Sequence, residues 1–199
     1  MAKTFKKRDL ILEKASTLFM DKGFSATTLE EIAEAVGIKR ESLYYYYPGK
    51  YDLLYDIIAP QIANVMGNFE EIIAQETDFQ TIVQCGIDNH LQHFNSSYLH
   101  MAMAVRKNSK GDVQLKFIAL RNMFKSYENI WIKVIDQAGR MGDLRLDVPP
   151  KMLVYSLLGL CNSLSSWYRP DGPLSLTQVS HYFSSIILDG IKGQNNSAP

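Results

Sequence analysis

Apolar residues recur at three- and four-residue steps along most of this chain, which is the period of a helix buried on one face. Leu10, Ile11, Ala15, Leu18 and Phe19 mark a first amphipathic helix that stops at DKGFSATT. Gly23 suits its end. Thr27 or Thr28, with Glu30 or Glu31 three residues on, is the pattern by which side chain and backbone cap each other at a new helix start. Ile32, Ala33 and Val36 then supply the apolar face of a short second helix, which ends around Gly37. A third short helix is predicted over roughly 39–47, closed by Pro48 and Gly49. From Lys50 an apolar-periodic stretch reaches about Gln75 with Pro60 inside it, where a kink or a lost backbone hydrogen bond is expected.

Beyond it the same period predicts helices over roughly 79–94, 98–107, 112–138, 149–168 and 175–191. Asp147 before Pro149 and Pro150 reads as a cap with proline in the first turn, and Ser175 with Gln178 reads as a second capping box. No segment alternates as a strand bounded by hairpin turns, and no repeat of fixed period occurs. The expected fold is all-α: a three-helix head, residues 1–49, and a larger helical body, residues 50–199, with a polar tail KGQNNSAP.

The two short helices TLEEIAEA and KRESLYYYY, joined by VGI, have the spacing of a helix-turn-helix. This gives the four consecutive tyrosines a place. Leu43 and Tyr47 are four residues apart and share a face, so they can pack on Ile32 and Val36. Tyr44, Tyr45 and Tyr46 then fan round the rest of the helix, where phenols can lie against sugar edges or thymine methyls and donate to phosphate oxygens. Lys39, Arg40, Glu41 and Ser42 occupy the first turn, which in a recognition helix faces base edges. Lys50 opens the next helix within reach of a backbone phosphate.

The stretch TTLEEIAEAVGIKRESLYYYYPGKYDLL resembles the head of the TetR family of one-component bacterial transcription regulators: a Thr pair, an E-I-A helix, a G-I turn, then Leu-Tyr and a Lys before an apolar helix. The resemblance covers about fifty residues. It implies that Thr28, Tyr44, Tyr46 and Lys50 bind phosphates and that Lys39, Arg40, Glu41, Ser42 and Tyr45 face the major groove of double-stranded DNA. Arg-Glu-Ser stands where the family often has a small Lys-Gly or Lys-Ala, Tyr46 replaces a usual His, and Tyr47 a usual Phe, so operator preference does not carry over. The segment WYRPDGPLS, Trp167 to Ser175, is similar to members that sense acyl-coenzyme A thioesters. That likeness implies a small-molecule effector in the body and a homodimer built from the last two helices, in which both chains pair as a four-helix interface on a palindromic site.

Composition narrows these readings further. In 199 residues, 21 basic and 21 acidic side chains balance, so the whole molecule advertises no polyanion partner. The first fifty hold nine basic and seven acidic residues, with Lys3, Lys6, Lys7 and Arg8 at the start reading as a basic arm. No apolar run spans a bilayer and no secretion signal is apparent, so no membrane partner is expected and the protein reads as cytoplasmic. Cys85 and Cys161 lie far apart in apolar surroundings and read as buried thiols. His90 and His93 share a helical face with His100 nearby, yet no carboxylate or cysteine cluster joins them, so no metal site is assigned. No cofactor is assigned either. Walker, H-E-x-x-H, G-x-S-x-G and Cys-His signatures are missing, which argues against an enzyme. For the effector site the candidates are His90, Phe94, Met101, Phe124, Tyr127, Trp131 and Trp167, a soft apolar set. Arg106, Lys107, Arg121, Lys125 and Arg169 are candidates for an anionic headgroup. The competing reading is a helical protein-protein interaction module without DNA binding. It leaves the phosphate-facing groups of the head unexplained.

Overall fold

A computed structural model describes residues 2–76, 78–95, 97–108, 110–141, 144 and 148–191. Asp147 and the tail 192–199 lie outside the described residues, as do the side chains of Lys3, Lys6, Arg106 and Lys107. Every regular element among the described residues is helical: α1 (Ala2–Lys22), α2 (Leu29–Val36), α3 (Arg40–Tyr46), α4 (Lys50–Gln75), α5 (Phe79–His93), α6 (Ser97–Asn108), α7 (Gly111–Met141), α8 (Pro150–Trp167) and α9 (Leu176–Ile191). The chain divides into two compact units. Met1–Gln61 with Ser97–Asn122 form one, and Ile62–Ser96 with Met123–Pro199 form the other. This division is not the 1–49 and 50–199 partition expected above. The long helices α4 and α7 each supply residues to both units, and α4 continues unbroken through Pro60, which lies one residue before the last residue of the first unit's opening segment, Gln61.

In the first unit α1 packs on α2 and α2 on α3. Ile11, Ala15 and Phe19, one helical turn apart, are fully buried and meet Ile32, Ala33 and Val36 in a core closed by Phe24 against Phe19 at a ring separation of 5.0 Å. Each isoleucine, valine or phenylalanine among them contributes about 1.5–3 kcal/mol of burial. The basic arm expected at the N-terminus is part of α1, and its two described cations have partners within the unit. Lys7 Nζ donates to the Val36 carbonyl at 3.4 Å, and Arg8 bonds Tyr47 and Asp56.

In the second unit α5, α8 and α9 pack pairwise around an aromatic centre. Phe69 stacks on Trp131 at 4.1 Å, and Gly86 of α5 lets both rings approach. A Cβ there would lie 2.5 Å from Trp131 and 2.6 Å from Phe69. Helix starts carry their caps as side-chain chemistry requires. Asp78 accepts the Thr81 amide at 2.7 Å, and Ser175 and Gln178 close a reciprocal pair of bonds ahead of α9. At α8 the cap position is Pro149, with Pro150 pre-set in the first turn and no side-chain cap bond.

Candidate nucleic-acid interface and ligand site

Thr28 begins α2 in extended backbone, and its hydroxyl accepts the Glu31 amide at 3.2 Å while the Glu31 carboxylate accepts the Thr28 amide at 2.9 Å. Of the two threonine and two glutamate options in the sequence, the structure uses Thr28 and Glu31. Thr27 is buried, and its hydroxyl donates to the Leu18 and Gly23 carbonyls. Hydrogen bonding from Lys22, then from Thr28, holds the Glu31 carboxyl down at about 2. At the other end Gly37 adopts φ 69°, ψ 41°, a left-handed turn that L residues resist, and lets Ile38 bond back to Ala33.

α3 has seven residues, too few to be helical alone in water. Docking supplies what propensity does not. Leu43 is fully buried and Tyr47 is 2% exposed, as their four-residue spacing predicts. Tyr47 does so from outside the helix. Its backbone is extended because the proline that follows disfavours the helical region, so α3 ends at Tyr46 rather than at Tyr47. The Tyr47 hydroxyl accepts Arg8 Nε at 2.8 Å, and Arg8 also pairs with Asp56 at 2.6 Å. These contacts join α1, α4 and the end of α3.

Only one of the four tyrosines is therefore core. Tyr45 is 83% exposed, Tyr44 is 44% exposed and Tyr46 is half-buried, its ring edge-on to Tyr45. Lys39, Glu41 and Ser42 are also exposed on α3 or at its start. Arg40 donates to Glu30 and Tyr44. Lys50 is placed differently from the others. Its ammonium donates to the Phe24, Ser25 and Thr27 carbonyls at 2.9, 3.1 and 2.9 Å and lies 4.8 Å from the Phe24 ring. All three donors are occupied, and partial burial pulls its pKa below the ordinary lysine value.

In the second unit five of the seven candidate ligand residues meet. His90 stacks on Tyr127 and contacts Phe94, Phe94 meets Phe124, and Tyr127 meets Trp131. Met101 belongs to the other unit, and Trp167 is 45% exposed with its ring against Tyr168 and Phe183. His90 Nε2 donates to Asn162 Oδ1 and Nδ1 accepts the Tyr127 hydroxyl, both at 3.2 Å, so the neutral ring is satisfied on both sides. Burial drives its pKa down to about 4. His93 and His100 are exposed and separate from it, and no group of three metal-ligating side chains occurs among the described residues. Burial pushes the Cys161 thiol up to about 12, while Cys85 is only partly buried. Trp131 Nε1 is buried with no hydrogen-bond partner among the described residues. Sequence reasoning did not single out Glu30 as a partner of Arg40, Asn89 as a buried core group, or the half-buried Asn162 as a partner of His90. Asn89 donates to the Val65 carbonyl at 2.8 Å. The available signal was an amide on an otherwise apolar helical face, as in GLCNSL.

Comparison with known proteins places this geometry. Over 192 residues the chain is 26% identical to the HTH-type transcriptional repressor KstR2 of Rhodococcus jostii (strain RHA1), covering 96% of this chain and 93% of that one. The biofilm operon icaADBC HTH-type negative transcriptional regulator IcaR of Staphylococcus epidermidis is 46% identical over 46 residues, 23% of this chain and 25% of that one. The same fold occurs in the ketosteroid transcriptional regulator KstR2 of Mycobacterium tuberculosis, with a TM-score of 0.83, 22% identity, and 94% and 95% of the two chains covered. AibR in complex with isovaleryl coenzyme A and operator DNA shares it at a TM-score of 0.71, 21% identity, and 90% and 97% coverage. Residues 11–57 match the family model "Bacterial regulatory proteins, tetR family" and residues 83–191 match "Tetracyclin repressor-like, C-terminal domain". The helix-turn-helix built from α2 and α3 and the helical body that follows it in the chain thus belong to a member of the TetR family of bacterial transcription regulators.

Proposed function

We propose that the chain is a ligand-responsive transcriptional repressor that binds a palindromic operator as a homodimer and is released by a small apolar or acyl-coenzyme A-type effector. The observation that carries this reading is the division of labour on α3. Leu43 and Tyr47 anchor it while Tyr44, Tyr45, Lys39, Arg40, Glu41 and Ser42 remain exposed. Thr28 and Tyr46 border that face and complete the phosphate contacts. The relatives' names as repressors support the direction of regulation. A helix partner in place of DNA has no comparable use for this exposed row of phenols.

The dimer is supported by apolar side chains on the last two helices. Met152, Tyr155 and Trp167 on α8, and Tyr182 and Ile186 on α9, are all exposed. Exposed apolar side chains this dense on two packed helices are what a second copy covers. The effector reading is supported by the neutral aromatic cluster around His90. Release requires an effector that prefers the state unable to bind DNA, by about 1–3 kcal/mol for ordinary coupling. α4, which supplies residues to both units, carries the change.

The test is binding to the intergenic DNA beside the protein's own gene at several salt concentrations, repeated with a panel of acyl-coenzyme A thioesters. Specific, salt-dependent binding relieved by one thioester class is expected. Equal affinity for random DNA at every salt would remove the operator reading. Specific binding that no thioester or apolar ligand alters would remove the effector.

A further inference from the structure

Two adjacent acids open α2, and they do different work. Glu31 closes the capping box with Thr28, which leaves the exposed Glu30 carboxylate free of that duty. Glu30 instead reaches the guanidinium of Arg40, the first residue of α3 and its one arginine. Arg40 Nη1 donates to Glu30 Oε2 at 3.3 Å, and Nη2 donates to the Tyr44 hydroxyl at 3.0 Å. The guanidinium carbon stands 5.6 Å from the Tyr44 ring centroid. One cation is thus held by a carboxylate from the neighbouring helix and by a phenol one turn further along its own.

Arginine offers five N–H groups, so two such bonds leave donors for a ligand while restricting how the planar fork can turn. Recognition of a guanine O6/N7 edge needs two parallel N–H groups in a defined plane. Attraction to phosphate needs only positive charge, and it carries no sequence information. A carboxylate beside the guanidinium offsets that charge and weakens contacts with every phosphate alike. A base edge that supplies two acceptors in the right plane still competes.

We propose that Glu30 is a specificity-determining positioning residue: with Tyr44 it orients Arg40 toward a guanine edge in the major groove and suppresses its attraction to phosphate. The inference rests on α3 meeting DNA. It assigns a role in recognition to a residue of α2 that itself touches no base.

Selection of duplexes from a random pool by the full-length protein tests it, using wild type, Glu30→Gln, Arg40→Ala and the double variant. Melting temperature serves as a control for folding. Glu30→Gln should bind non-specific duplex more tightly and lower the ratio of specific to non-specific affinity by about two- to five-fold, the scale of an exposed ion pair. The base pair whose preference it relaxes should be the one relaxed by Arg40→Ala, and the double variant should show no further relaxation. A preference profile unchanged by Glu30→Gln overturns the proposal, as does a Glu30→Gln effect that persists at full size in the Arg40→Ala background. A wild-type chain that selects no sequence overturns the DNA-binding reading together with this one.

Discussion

Tyr47 in the first unit and Tyr127 in the second are both buried rings, yet their hydroxyls end in opposite electrical settings. Tyr47 accepts from the Arg8 guanidinium, which also holds Asp56, so its partners are charged and reach solvent. Tyr127 faces a neutral histidine whose other nitrogen meets an amide. The difference follows from what each region must keep in place. A seven-residue helix at the surface cannot sustain its own shape, and the buried Leu43 and Tyr47, with Arg8 bridging Tyr47 to Asp56, hold it. A dry core cannot carry an uncompensated charge, so the histidine there gives up its proton.

Acid should break the second half of that contrast with the largest effect. The His90 pKa of about 4 lies below its ordinary 6.5, so between these values the unfolded chain binds a proton that the folded chain refuses. Stability from this group is full above about pH 6.5 and falls as pH drops, by about 2–3 kcal/mol at pH 4.5. Urea unfolding at pH 7 and pH 4.5 measures it. His90→Gln should show a clearly smaller difference between the two, and an undiminished one would contradict the neutral-core account.

Gly86→Ala probes the same region by volume instead of charge. Its new methyl meets two rings at under 3 Å, so a loss of about 1–3 kcal/mol in thermal or urea unfolding is expected. In the first unit, Lys50→Met should leave three loop carbonyls without their donor and cost about 1–3 kcal/mol, while the salt slope of DNA binding stays at the wild-type value. A slope reduced by about 0.9 with unchanged stability would instead make Lys50 a phosphate contact. The smallest stability effect belongs to Tyr45→Ala. Its ring is outside the core, so stability should move by less than about 0.5 kcal/mol. DNA affinity should still fall by about 1 kcal/mol, the worth of one hydrogen bond. Loss of stability without loss of affinity would place Tyr45 in the fold rather than on the DNA face.

Much of this arrangement was legible along the chain because it depends on residues close together in sequence. The anchors Leu43 and Tyr47 and the Ser175–Gln178 box follow from spacings of three or four residues, the helix end at Gly37 from its glycine, and the α2 cap narrows to two threonine–glutamate pairs, of which the structure uses Thr28 and Glu31. The end of α3 at Tyr46 was also within reach of local chemistry, since Pro48 restricts the residue before it. Helical periodicity likewise determined an all-α fold, and the family-wide spacing of the head determined its class.

Tertiary structure alone decided where the charges went. Lys7, Arg8 and Lys50 look from sequence like cations free to meet phosphates, yet they end on the Val36 carbonyl, on Tyr47 with Asp56, and on three carbonyls of the loop before α2. Their partners lie 23 to 48 residues away. Tertiary structure likewise joined His90 to Asn162 across 72 residues and Glu30 to Arg40 across a turn. A long flexible side chain has many partners within its reach, and local periodicity ranks none of them. The choice is made when the helices pack and a carbonyl, a ring or a carboxylate is left without water.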